Sequence, residues 1–205
     1  MGNRIEPAPQ VGSRLMILET IITTRDEQGG DHIAPMGIRE DNGFIVVSPF
    51  RPSATLDRIV SAGCAAVNYT DDVRVFAGCL TGRYGWPTVP ARVISCNRLQ
   101  AALSHSEAVL ERMEDDAQRP RLYLREVARE THAPFRGFNR AQAAVIEAAI
   151  LVSRLHMLPR EKIDAEMQYL SIAIDKTAGP REREAWSWLQ QSIAEFRAQQ
   201  ERSPA

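Results

Sequence analysis

The chain predicts an α+β fold, a small closed β-barrel with one inserted helix, followed by a three-helix appendix. Three observations lead there. From Leu15 to Arg129, short runs rich in β-branched and aromatic residues alternate with turn signals. At about Gly137 the apolar spacing changes to a helical period, about 3.6 residues. Beyond it, Pro159 and the Gly179-Pro180 pair punctuate two further helices. The domain boundaries that follow are 14–134 for the barrel and 135–200 for the helices, with residues 1–13 as a loose polar arm.

In chain order, Leu15 to Thr24 reads as a first strand that stops at the glycine-bearing DEQGGD. Ile33 to Arg39 and Phe44 to Ser48 flank Asp41-Asn42-Gly43, where Asn-Gly is a hairpin turn. Leu56, Ile59 and Val60 stripe a helix near residues 54–62, with Gly63 placed to end it. Cys64 to Tyr69 and Val73 to Leu80 read as strands separated by Thr70-Asp71-Asp72. Gly82 to Pro90 reads as a loop, and Arg92 to Cys96 as a further strand. Ala108 to Glu114 and Arg121 to Arg129 form a hairpin around Asp115 to Pro120, although Ser104 to Met113 also fits a helix start. About seven short strands of this kind suit a small closed barrel.

In the appendix, Asn139 caps a helix whose apolar stripe includes Ala141, Ala144, Val145, Ala148, Ala149, Val152 and Leu155. Ile146 and Ile150 give it a second apolar face. A second helix is striped by Ile163, Met167, Leu170 and Ile174, and a third by Trp186, Leu189, Ile193 and Phe196. Arg140, Glu147 and Arg154 recur on the first of these helices. They are either a solvated charge stripe or a polar wall toward a cavity or second subunit.

Composition excludes several function classes. At 205 residues, 44% hydrophobic and 25% charged, the chain is of ordinary globular type, with a formal net charge of −1. No global field draws nucleic acid or an anionic membrane. Cys64, Cys79 and Cys96 form neither an even framework nor a CxxC pair and are expected as buried, reduced thiols. The four histidines lack HxxH and HExxH spacing, so no metal site is expected. MGNRIEPAPQ lacks the apolar run of a signal peptide, and a cytoplasmic, soluble protein is expected. Lys176-Thr177 imitates the end of a phosphate loop, but the upstream glycines of a nucleotide site are missing.

The most informative segment runs from His32 to Thr55. HIAPMG (His32, Ile33, Ala34, Pro35, Met36, Gly37) precedes the hairpin, and Arg51-Pro52-Ser53-Ala54-Thr55 opens the inserted helix. That opening gathers a cation, two hydroxyls and a helix N-terminus, whose unpaired N–H groups favour an anion. Arg51 can fork onto phosphate oxygens while Ser53 and Thr55 add hydroxyls. The same residues equally suit a plain N-cap beside a surface arginine.

These segments, with Glu19 to Thr24 and Val67-Asn68-Tyr69-Thr70-Asp71-Asp72, resemble the FMN-binding split-barrel flavoproteins. GFNRA (Gly137 to Ala141), AVIEAAIL (Ala144 to Leu151) and KTAG (Lys176 to Gly179) before Glu184-Ala185-Trp186 resemble, more narrowly, domain-of-unknown-function family 447. The resemblance spans about residues 15 to 198. It implies a flavin-reductase-like split barrel, a homodimer, and FMN near the subunit interface. By that resemblance Arg51, Ser53 and Thr55 hold the FMN phosphate. His32, Ala34, Pro35, Met36 and Gly37 line the isoalloxazine edge, and Asn68 and Thr70 border the ribityl chain or the neighbouring wall. This chain departs from the family pattern in having Leu56 and Arg58 where Tyr and Asn follow the threonine. The implied activity is a flavin-dependent oxidoreductase acting on a small molecule. The alternatives are a non-catalytic flavin- or pterin-binding module, linked to tetrahydromethanopterin-dependent one-carbon chemistry, and an interaction protein.

Overall fold

The computed structural model describes residues 16–26 and 28–202. The arm at 1–13, the strand start at Leu15 and the boundary at 14 lie outside the described residues. Strands β1 (Leu18–Arg25), β2 (Asp31–Asp41), β3 (Phe44–Val47), β4 (Cys64–Tyr69), β7 (Ser104–Glu114) and β8 (Arg121–Thr131) close a barrel in the order β1-β2-β3-β8-β7-β4. Helix α1 (Ala54–Ala62) is the inserted helix. β5 (Thr88–Pro90) and β6 (Asn97–Leu99) form a separate two-stranded ribbon.

Local chemistry explains each turn. Asp41 pairs with Phe44, leaving Asn42 (φ 49°) and Gly43 (φ 83°) as a two-residue loop with both φ positive. Such a turn matches the twist of the strands it joins. Ser53 caps α1 by accepting from Leu56 N at 3.3 Å. Gly63, in the left-handed region, closes α1 by donating to Ile59 O at 2.9 Å. Ile22, Ile38, Ile45, Val47, Leu122 and Leu124 alternate into the barrel, where Leu56 and Ile59 of α1 join them.

Two expected strands are not strands. Val73–Leu80 is helix α2, capped by Asp72, whose carboxylate accepts from Arg74 N at 3.2 Å. Its apolar residues face two partners. Val75 and Phe76 pack with Ile21 and Leu99. Val73 and Ala77 enter the core of the appendix. Arg92 to Cys96 is a bent loop wrapped around the buried Glu107 carboxylate, which accepts from the N–H groups of Arg92 (2.7 Å), Val93 (2.6 Å) and Ile94 (3.0 Å). Burial opposes ionisation of Glu107, but these three donors and His105 outweigh it and hold the carboxyl below its usual range. The 82–90 segment is a loop until its last three residues enter β5.

The appendix comprises α3 (Arg140–Val152), α4 (Arg160–Thr177) and α5 (Pro180–Arg202). Asn139 caps α3 by accepting from Ala141 N at 2.8 Å, and it donates to Thr177 O at 3.1 Å. The KTAG segment therefore ties the end of α4 to the start of α3. The Arg140, Glu147 and Arg154 side chains are exposed. Trp188 is half-buried: Arg83 lies 4.7 Å over its ring and Trp86 sits beside it at 6.4 Å. This seam fixes Gly78, where an added Cβ would come within 2.5 Å of the Trp86 ring.

Candidate functional site

The start of α1 and the HIAPMG strand meet at the His32–Thr55 hydrogen bond. β2 pairs with β1 along its whole length, from Arg25↔Asp31 to Leu18↔Ile38. On its other side β3 is four residues long and covers only Ile38 to Asp41. The edge of β2 from Asp31 to Gly37 therefore has no β3 partner, which splits the barrel there. Ile33 O turns to this side and accepts from Cys79 Sγ of α2 at 3.4 Å. Strand alternation turns the backbone of Pro35 and Gly37 the same way. Pro35 has no N–H to lose at an open edge, which is where a strand tolerates proline.

His32 begins this edge, and its Nε2 lies 2.9 Å from Thr55 Oγ1 in the first turn of α1. Thr55 is buried, while His32 is half-buried. Burial, then the nearby Arg58 charge, pull the His32 imidazole below its ordinary value of 6.5. A neutral imidazole with hydrogen on Nε2 donates to Thr55 and leaves the threonine hydroxyl proton free for another acceptor. Ser53 Oγ, accepting from Leu56 N, likewise keeps its proton to donate.

Arg51 stands at the rim of the same helix start. Its guanidinium meets the exposed Asp115 at 2.7 Å, and its N–H donates to Gln118 O at 2.9 Å. Arg51, Ser53, Leu56 and Met113 line a cleft of about 650 Å³. His32, Ile33, Tyr84 and Trp86 line a second cleft of about 440 Å³. Arg58, which with Leu56 departs from the family pattern, lies 3.4 Å from Asp26.

The structure does not bring Asn68 and Thr70 to this rim with free polar groups. Asn68 is fully buried and its amide is spent within the fold. Nδ2 donates to Ile21 O (2.9 Å), Thr23 Oγ1 (2.7 Å) and Ala66 O (3.2 Å), and Oδ1 accepts from Leu99 N at 2.7 Å. It ties the ribbon β5-β6 to the barrel. Thr70 Oγ1 donates to Ala101 O at 2.9 Å and accepts from Asp72 N at 3.1 Å, which sets the turn into α2.

Sequence reasoning missed a polar cluster on the β7–β8 hairpin. His105 Nδ1 lies 3.0 Å from His132 Nε2, and His105 Nε2 lies 3.2 Å from Glu107 Oε1. The available signal was period-two spacing, His105-x-Glu107 and Glu130-x-His132, with His105 opposite Glu130 across the hairpin.

The family description "Protein of unknown function (DUF447) N-terminal domain" matches residues 18–133, and "Protein of unknown function (DUF447)" matches residues 139–191. Among solved structures, an FMN-bound DUF447 protein from Methanosarcina mazei superposes with a TM-score of 0.75 at 20% identity. The match covers 87% of this chain and 96% of that one. A 2-nitrobenzoate 2-nitroreductase from Pseudomonas fluorescens gives 0.49 at 19% identity over 56% of this chain and 64% of the other. The styrene monooxygenase flavin reductase from Pseudomonas putida S12 gives 0.46 at 16% identity, over 56% and 81%. No curated protein matches the chain. At these identities the likeness is one of fold.

Proposed function

We propose that this chain, which belongs to the DUF447 family, binds FMN and works as a flavin-dependent oxidoreductase on a small-molecule substrate. The observation that carries this reading is the His32–Thr55 contact, which joins an open strand edge to a helix N-terminus. The phosphate docks at the start of α1, where Arg51 supplies charge and the Ser53 and Thr55 hydroxyls donate. The isoalloxazine edge lies along His32, Ala34, Pro35, Met36 and Gly37, where the outward backbone groups of Pro35 and Gly37 can meet it. The flavin supplies the hydride or electron chemistry, and the chain supplies position and field. FMN bound to the M. mazei relative supports the choice of ligand.

The pocket is completed by a second copy of the chain. Phe135 and Phe138 pack edge-to-face at 5.2 Å, yet they are 58% and 100% exposed. Exposed aromatics of this size favour an interface. No helix among the described residues is long and apolar enough to cross a membrane. We place the protein in the cytoplasm, where its thiols stay reduced.

One observation favours a second reading, a carrier of flavin or a pterin-like ring serving one-carbon chemistry. His32 is the titratable side chain on the ring-binding edge, and its Nε2 is already engaged by Thr55. The two readings part on turnover. Purified protein that is yellow and bleaches catalytically with reduced nicotinamide supports the oxidoreductase. Yellow protein without turnover leaves the carrier, and colourless protein that ignores added FMN rejects both.

A further inference from the structure

We infer that the β7–β8 hairpin carries a binding site for a zinc-like divalent transition metal, built from His105, His132 and Glu130. The site is separate from the flavin reading and does not depend on it. The ladder register sets His105 opposite Glu130, and His132 follows Glu130 by two residues on the same face. One ligand atom from each of the three lies within 4.8 Å of the others. Two imidazoles and a carboxylate suit zinc and its first-row neighbours, and three protein ligands leave a fourth position for water.

The buried side of this site is pre-set. Glu107 is fully buried and held ionised by three backbone N–H groups of the 92–94 loop. An ionised carboxylate only accepts, so His105 must donate to it from Nε2. The His105 Nδ1 lone pair is thereby presented to His132 Nε2. A carboxylate behind a histidine that points its other nitrogen outward is the support that metal-ligating histidines use.

The two rings are 20° from parallel with centroids 5.1 Å apart, so they lie side by side and share one hydrogen along the 3.0 Å line. The metal replaces that hydrogen. His132, exposed and free to turn, moves its proton from Nε2 to the outward Nδ1, so no net proton is lost. Bonds of about 2.0–2.1 Å to each nitrogen need a separation only slightly above the present one. Glu130 completes the set by leaving Arg92, which it now meets at 3.2 Å on the surface.

The test is titration of the intact chain with zinc by calorimetry and with cobalt by visible absorption. The expected result is one ion per chain, with a cobalt spectrum of nitrogen and oxygen ligation. His132→Ala, at an exposed position, should fold normally and weaken binding at least about 10-fold, and Glu107→Gln should weaken it about 10- to 100-fold. Should Glu107→Gln fail to fold by circular dichroism, His132→Ala alone decides. Unchanged affinity in His132→Ala, no saturable binding by the parent chain, or a sulfur-to-cobalt charge-transfer band placing the ion on cysteines overturns the proposal.

Discussion

His32 Nε2 and Thr55 Oγ1, twenty-three positions apart in sequence, lie 2.9 Å from one another. The bond pins the open end of β2 to the first turn of α1. With its proton on Nε2 a neutral His32 donates, and the threonine proton is left for an anion.

His32 should give the fold a pH dependence of definite sign. Its folded pKa is depressed below 6.5 by burial and then by Arg58. The unfolded chain therefore takes up the proton first. Stability from this group is full above the unfolded value and falls as pH drops through the folded one. Thermal unfolding between about pH 5 and 8 should show a smaller loss on acidification in His32→Gln than in the parent. Equal losses would remove His32 as the source.

Asn68→Ala should damage the fold before it touches ligand binding. The change leaves Leu99 N without this acceptor in the interior and removes the amide's bonds to Ile21 O and Thr23 Oγ1, at a cost of about 1–3 kcal/mol. Urea unfolding should report that loss. Full stability with selectively weakened FMN binding would mean the amide serves ligand instead.

Much of this architecture was legible. Asn42-Gly43 gave its hairpin away because both residues tolerate positive φ, and Gly63 and Asn139 marked helix ends by capping chemistry. Helix α2 was hidden for a physical reason. Covered by Ile21 and Leu99 on one side and by the appendix on the other, it shows after Arg74 an unbroken apolar run, Val75 to Leu80, with no period to read. Thr70-Asp71-Asp72, which reads as a turn between strands, is the cap of that helix. Arg92 to Cys96 misleads because its β-branched residues bend around Glu107, a long-range partner no local pattern discloses. At the candidate site, Arg51, Ser53, Thr55 and His32 were legible as chemistry. The spent amide of Asn68 was not, since its partners come from β1, β4 and β6.

Gly78→Ala should loosen the seam between α2 and α5. The new methyl would meet Trp86 at 2.5 Å and push it toward Trp188. A destabilisation of about 1–3 kcal/mol is expected by chemical denaturation, with the barrel intact. A neutral result would show that the Trp86 ring yields freely.

Cys64 and Cys96 should titrate far apart although their sulfurs are 3.0 Å from one another. The Cys96 hydrogen bond pulls the Cys64 thiol down to about 6, against the opposing effect of burial. Cys96 is pushed up by the same pairing, and burial raises Cys79 to about 11. The thiolate ultraviolet absorbance of the parent should therefore show one group ionised near neutrality. Cys96→Ala should return it toward the ordinary 9.0. An unmoved titration would contradict the pairing.

The most direct test of the central claim is FMN titration of the parent chain and of the Arg51→Ala/Thr55→Ala double variant, followed by flavin fluorescence. Phosphate anchoring at the start of α1 predicts a loss of at least about 2 kcal/mol, which is about 30-fold in Kd. An unchanged Kd in a folded double variant would contradict it.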